Sequence, residues 1–123
     1  MKKAVLLSIV IIIISCTSAQ NTKSRYIDRI PDLSKVTYEG GDGKTTETAI
    51  IIKNAGNSTN GIAAEYDYIA KKQGEKFVDW KPLGQSTYDE NKKKFDLIWI
   101  ETIPKKDTVS FVFDITEFYG KWN

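Results

Sequence analysis

The side chains in this chain that could carry chemistry are carboxylates, hydroxyls and ammonium groups. Histidine is absent, and Cys16 is the only thiol. Without histidine there is no Ser–His or Cys–His nucleophilic system, and the usual zinc ligand sets are missing. General acid–base work would fall to Asp, Glu, Lys or Tyr. The candidate carboxylates are Glu65, Asp67, Asp96, Glu101 and Asp114, and their spacing matches no catalytic motif. Asp96 and Glu101 stand five apart in one strand pattern, so they would face opposite sides of a sheet. No metal or cofactor site is expected. A small α+β domain also leaves little room for a closed cleft, so the expectation is a protein that is not an enzyme.

Glu39-Gly40-Gly41-Asp42-Gly43-Lys44 invites a phosphate-loop or calcium-loop reading. It lacks the spacer and GK[ST] ending of the first and the spaced carboxylates of the second. Three glycines and an aspartate read better as a sharp turn with positive φ. Trp80, Trp99, Trp122 and the tyrosines could line a sugar or peptide groove, but a small domain needs most large aromatics for burial. Trp99 reads as core. Tyr68, Tyr88, Tyr119 and Trp122 sit off the clearest apolar faces and are the expected partner-facing aromatics.

These side chains need elements to position them. Val36-Thr37-Tyr38 and Ala49-Ile50-Ile51-Ile52 read as short strands around the glycine turn. A helix is expected from about Gly61 to Lys72, capped by Ser58, Thr59 or Asn60 and stopped by Gly74. Its apolar face would carry Ile62, Tyr66, Ile69 and Ala70. Phe77 to Tyr88, interrupted by Pro82 and Gly84, reads as an irregular or edge strand. Phe95 to Thr102 is apolar on both faces and reads as a central strand. Val109, Phe111, Phe113 and Ile115 alternate with more polar neighbours in a last strand, followed by a short helical turn ending at Gly120. The expected class is α+β: a small antiparallel sheet, made of a C-terminal three-strand meander plus one or two N-terminal strands, packed by one helix.

The first residues have a different character. Lys2 and Lys3 precede an apolar stretch, Ala4 to Ile14, broken only by Ser8. Eleven residues at about 1.5 Å each reach roughly 16 Å, about half of a ~30 Å hydrocarbon core. The pattern is that of a secretory signal rather than a membrane span. Ile13-Ile14-Ser15-Cys16 resembles the lipobox of bacterial lipoprotein precursors. That resemblance implies a signal peptide over 1–15 that is removed, and Cys16 as the new N-terminus carrying acyl chains. Each buried CH₂ contributes about 0.8 kcal/mol, so two or more chains anchor stably. Thr17, rather than Asp, after the cysteine argues for the outer over the inner membrane. Residues 16–34 read as a lipidated tether and 35–123 as a single domain.

The chain carries 18 Lys+Arg against 16 Asp+Glu, and the surplus equals Lys2 and Lys3. A balanced remainder excludes a nucleic-acid footprint and leaves membrane attachment to the acyl chains. Asp107-Thr108-Val109 resembles the Asp-Ser/Thr-apolar O-glycosylation site of certain bacterial envelope proteins, with Thr108 as acceptor. Gly40–Gly43, Ala49–Ile52, Gly61–Ile69 and Phe113–Lys121 together are similar to a set of small bacterial envelope proteins with no established activity. No site residues carry over from that likeness. The expected function is a lipid-anchored cell-envelope protein whose non-catalytic domain binds a protein or glycan partner. An inhibitor or immunity-type lipoprotein and a small carboxylate-dependent hydrolase are the alternatives.

Overall fold

The computed structural model describes residues 30–122. Cys16, the expected signal segment and the first part of the expected tether lie outside the described residues. The domain contains β1 (Thr37–Gly40), β2 (Ile50–Lys53), α1 (Ser58–Gln73), β3 (Trp80–Glu90), β4 (Lys93–Thr102) and β5 (Thr108–Asp114). The strands form one sheet in the order β1-β2-β5-β4-β3. The fold is α+β, with one helix and five strands.

The expected C-terminal meander is present: β3–β4 and β4–β5 are antiparallel. Asn91 and Lys92 join β3 to β4 with φ of 51° and 64°, the two left-handed residues that a type I′ hairpin requires. The sheet is not antiparallel throughout, however. β2 runs parallel to β5 through the pairs Ile50↔Phe113 and Ile51↔Asp114. The reason is topological. α1 carries the chain across the sheet and the meander then reverses twice, so β5 returns beside β2 in the same direction.

Asn57 starts α1 with extended backbone, its side chain accepting from the Asn60 N–H at 2.9 Å. Gly74, at φ 102°, ends it by donating to the Ala70 carbonyl at 2.8 Å. The expected apolar face is displaced. Gly61, Ala64, Glu65 and Ile69 are buried, whereas Ile62 is exposed and Tyr66 and Ala70 are half-buried. Small residues explain the rotation: a Cβ on Gly61 would overlap the Phe118 ring, so the helix lies closer to its neighbours than bulkier residues allow.

The main core lies between α1 and one sheet face. Ile50, Ile52, Ile69, Trp80, Ile98, Ile100 and Phe113 are wholly buried there, each contributing about 1.5–3 kcal/mol. The other face is covered more thinly. Ala49, Phe95 and Val112 pack there with Tyr88 and Leu97. The loop between β1 and β2 lies against it, with Val112 N–H donating to the Gly43 carbonyl at 2.7 Å and Thr46 bonded to the Tyr88 hydroxyl at 2.7 Å. Trp99 belongs to this second face. It is half-buried over Gly84, whose missing Cβ gives it room, rather than in the main core. The register of β3 shifts between Pro82 and Gly84, as suits an edge strand.

After β5 the chain makes one helical turn, with Tyr119 N–H donating to the Ile115 carbonyl at 2.9 Å, and Gly120 (φ 76°) ends it. At the other end, Asp32 N–H donates to Asn60 Oδ1 at 2.8 Å and Leu33 packs on the core. The packed domain therefore reaches back into the stretch expected as tether.

Candidate binding pocket

Three elements and the C-terminal turn bring polar groups together at the N-terminal end of α1. Ser58, Ile62 and Glu65 follow at helical spacing, so they share one side of α1. Alternation along β4 puts Asp96 on the same sheet face as the buried Ile98 and Ile100. On β3, Thr87 stands directly opposite Asp96, and Gln85 is one step along the same face. Thr87 Oγ1 donates to Asp96 Oδ1 at 2.5 Å and Gln85 Nε2 donates to Oδ2 at 3.1 Å. Each carboxylate oxygen thus has its own neutral donor.

Glu65 lies behind this arrangement. It is fully buried, and neither of its oxygens has a donor among the described residues. Two ionised carboxyls cannot share a hydrogen bond, but one proton between them can make it. Burial, then the Asp96 charge and the hydrogen bond between the carboxyls, push the Glu65 pKa up to about 10. At neutral pH Glu65 therefore keeps its proton beside Asp96. The same burial and the two carboxyls also raise the pKa of Tyr66.

Asp96 floors a cavity of about 230 Å³. Gln85 and Thr87 form its polar wall; Ile62, Ile115 and Phe118 form its apolar wall. Tyr119 and Trp122 stand at the rim, 48% and 67% exposed. Two of the four aromatics expected to face a partner thus meet at one opening. The other two do not. Tyr68 packs edge-on against Phe113 at 5.8 Å within the main core, and Tyr88 stacks on Phe95 at 5.5 Å on the opposite sheet face.

Of the five candidate carboxylates, Glu65 and Asp96 converge here. Asp67 pairs with Lys71 at 2.9 Å, and Glu101 with Lys81 at 3.5 Å. Asp114 accepts from both the backbone and the hydroxyl of Thr116. Asp96 and Glu101 do face opposite sides, as their spacing requires. Thr108 is exposed at the start of β5. Gly40 and Gly43 have φ of 91° and 77°, so the glycine segment is a turn. Sequence reasoning missed Gln85 and Thr87. Their signal was weak: two polar residues at alternate positions in a segment interrupted by Pro82 and Gly84.

The chemistry open to this site follows from which carboxyl is reachable. Hydrolysis by a carboxyl pair needs both groups flanking the scissile bond. Here Asp96 meets the cavity, while Glu65 is enclosed behind it. The arrangement presents one carboxylate, neutral hydrogen-bonding groups and an aromatic rim at a single opening. Comparison of this chain with family models, with curated proteins and with solved structures gives no match.

Proposed function

We propose that this is a lipid-anchored protein of the cell envelope, held at the outer membrane by acyl chains on Cys16, whose domain binds a protein or glycan partner without turning it over. The pocket beside the N-terminal end of α1 is its docking site. One observation carries the binding reading: Tyr119 and Trp122, both exposed, open onto a buried carboxylate held by side chains from regular strands. Rigid elements that fix a polar group under an aromatic rim suit recognition. The anchor reading rests on Ile13-Ile14-Ser15-Cys16. The Glu65–Asp96 pair favours the hydrolase alternative, but one carboxyl is out of a substrate's reach.

A photoreactive amino acid placed at Trp122, and separately at Ser86 on the other sheet face, tests the reading in membranes. Crosslinking to a defined partner from position 122 but not 86, together with loss of the protein from the membrane fraction in Cys16→Ala, is the expected result. Equal yields at both positions would remove the docking site. Membrane retention of the Cys16→Ala protein would remove the anchor.

A further inference from the structure

We propose that the pocket receives the side chain of a lysine from a protein partner, with Asp96 as counter-ion to its ammonium and Ile62, Ile115 and Phe118 around its methylenes. This deepens the docking reading and rests on it.

Charge argues for a cation. Asp96 is 3% exposed, and its bonded partners Gln85 and Thr87 are neutral. Among the described residues no lysine or arginine forms an ion pair with it; the four ion pairs all lie elsewhere. Lys94 Nζ stands 4.8 Å from the Tyr119 ring at the rim, but it is paired with Asp89 at 2.5 Å. A carboxylate sheltered from water and without a cation attracts an incoming one more strongly than a surface carboxylate does. The other titratable groups around it are Glu65, Tyr66 and Tyr119, and none supplies a positive charge.

Shape and donor geometry narrow the cation. The apolar wall suits a four-carbon stem that buries its methylenes and carries its charge at the tip. A cavity of about 230 Å³ has space for one such side chain. The rim aromatics add attraction for an ammonium. The ring of Tyr119 already holds one, that of Lys94. A guanidinium would bind a carboxylate through both oxygens at once. Thr87, Gln85 and the Glu65 proton already bond to the Asp96 oxygens, which leaves too little free for a two-pronged contact and suits a compact ammonium better. A sugar would satisfy hydrogen bonds but would leave the charge uncompensated.

The test titrates full-length protein in detergent with Nα-acetyl-lysine methylamide, the matching norleucine compound and N-acetylglucosamine. Amide shifts of Gln85, Thr87 and Asp96 are followed by NMR. The lysine compound should bind at least about tenfold more tightly than norleucine, because only the charge differs. Asp96→Asn should abolish that preference. If Asp96→Asn fails to fold, Trp122→Ala, at an exposed position, should still fold and bind the lysine compound more weakly. Equal binding of lysine and norleucine, or binding of the sugar alone, would overturn the lysine assignment and leave the docking site standing. No shift at these residues with any probe would overturn the docking reading as well.

Discussion

The two ends of the interface between α1 and the sheet are built on opposite plans. Toward its C-terminal end, α1 sets Ile69 into a cluster with Trp80, Ile98, Ile100 and Phe113, all wholly buried. Toward its N-terminal end the same side of the helix carries Glu65, and β4 answers with Asp96 instead of a third isoleucine. The first end is closed and apolar. The second is polar and opens into a cavity. The difference separates two tasks: the apolar end holds the helix on the sheet, and the polar end gives up stability to keep a charged group beneath an opening. Replacing both partners of a buried hydrogen-bonded pair by apolar groups of the same shape is often nearly neutral or stabilising.

The largest expected effect lies at the closed end. Ile98→Ala should lower unfolding free energy by about 2–5 kcal/mol, since the cavity it leaves cannot collapse easily. Glu65→Leu, of comparable size and equally buried, should lose far less and can gain, because it removes a desolvated carboxyl. Denaturant unfolding of the two variants compares them directly. A loss for Glu65→Leu as large as that for Ile98→Ala would mean that the carboxyl pair is a main support of the fold, and the contrast between the ends would fail.

The next effect is a slope rather than a step. Glu65 has its pKa raised from 4.5 to about 10. The folded protein therefore keeps a proton there that the unfolded chain has lost. The stabilisation from protonated Glu65 is complete below the unfolded value, declines as the unfolded chain ionises, and is gone once pH passes about 10. Over that window stability should fall by up to about 1.4 kcal/mol per pH unit from this group alone. Glu65→Gln removes the titration, so its stability relative to wild type should improve steadily between pH 5 and pH 9. Parallel stability curves for the two proteins over that range would show that Glu65 is ionised in the fold, and the one-proton account of the pair would be wrong.

This contrast was only half legible in the sequence. β4 and β5 announce themselves by alternation, and the turns announce themselves through residues that accept left-handed backbone. The helix extent was also close. Which side of the helix faces the sheet was not, because Gly61 and Ala64 give no hydrophobic signal, and it is their smallness that sets the approach. The parallel contact between β2 and β5 depends on where a crossover returns the chain, which no local pattern records. The meeting of Glu65 with Asp96 depends on both unknowns together, the helix rotation and the sheet order. Each residue read by itself as a candidate carboxylate without a motif. Trp122 and Tyr119 were accessible to sequence reasoning because they lie off the periodic apolar faces. Tyr68 and Tyr88 show the limit of that rule, since Tyr68 on α1 packs against Phe111 and Phe113 of β5, and Tyr88 on β3 stacks on Phe95 of β4.

The smallest expected effect isolates what burial does to a carboxylate. Asp96 and Glu101 belong to the same strand and face opposite sides of it. Glu101 pairs with Lys81 at 3.5 Å near the solvent, where water screens both charges and two long side chains must be held still. Glu101→Gln should therefore change stability by about 0.2–1 kcal/mol, shrinking further in salt. Asp96→Ala, by comparison, leaves the buried Glu65 proton without its acceptor, and a buried group left unpaired costs about 1–3 kcal/mol, whereas the Gln85 and Thr87 donors sit on exposed residues and can turn to water. Measured side by side at low and high salt, Asp96→Ala should be the more damaging and the less salt-dependent. If Glu101→Gln were the costlier change, the ion pair on the open side would be the more protected of the two. The enclosure argued for Asp96, and with it the reason for treating its carboxylate as a recognition group, would then lose its basis.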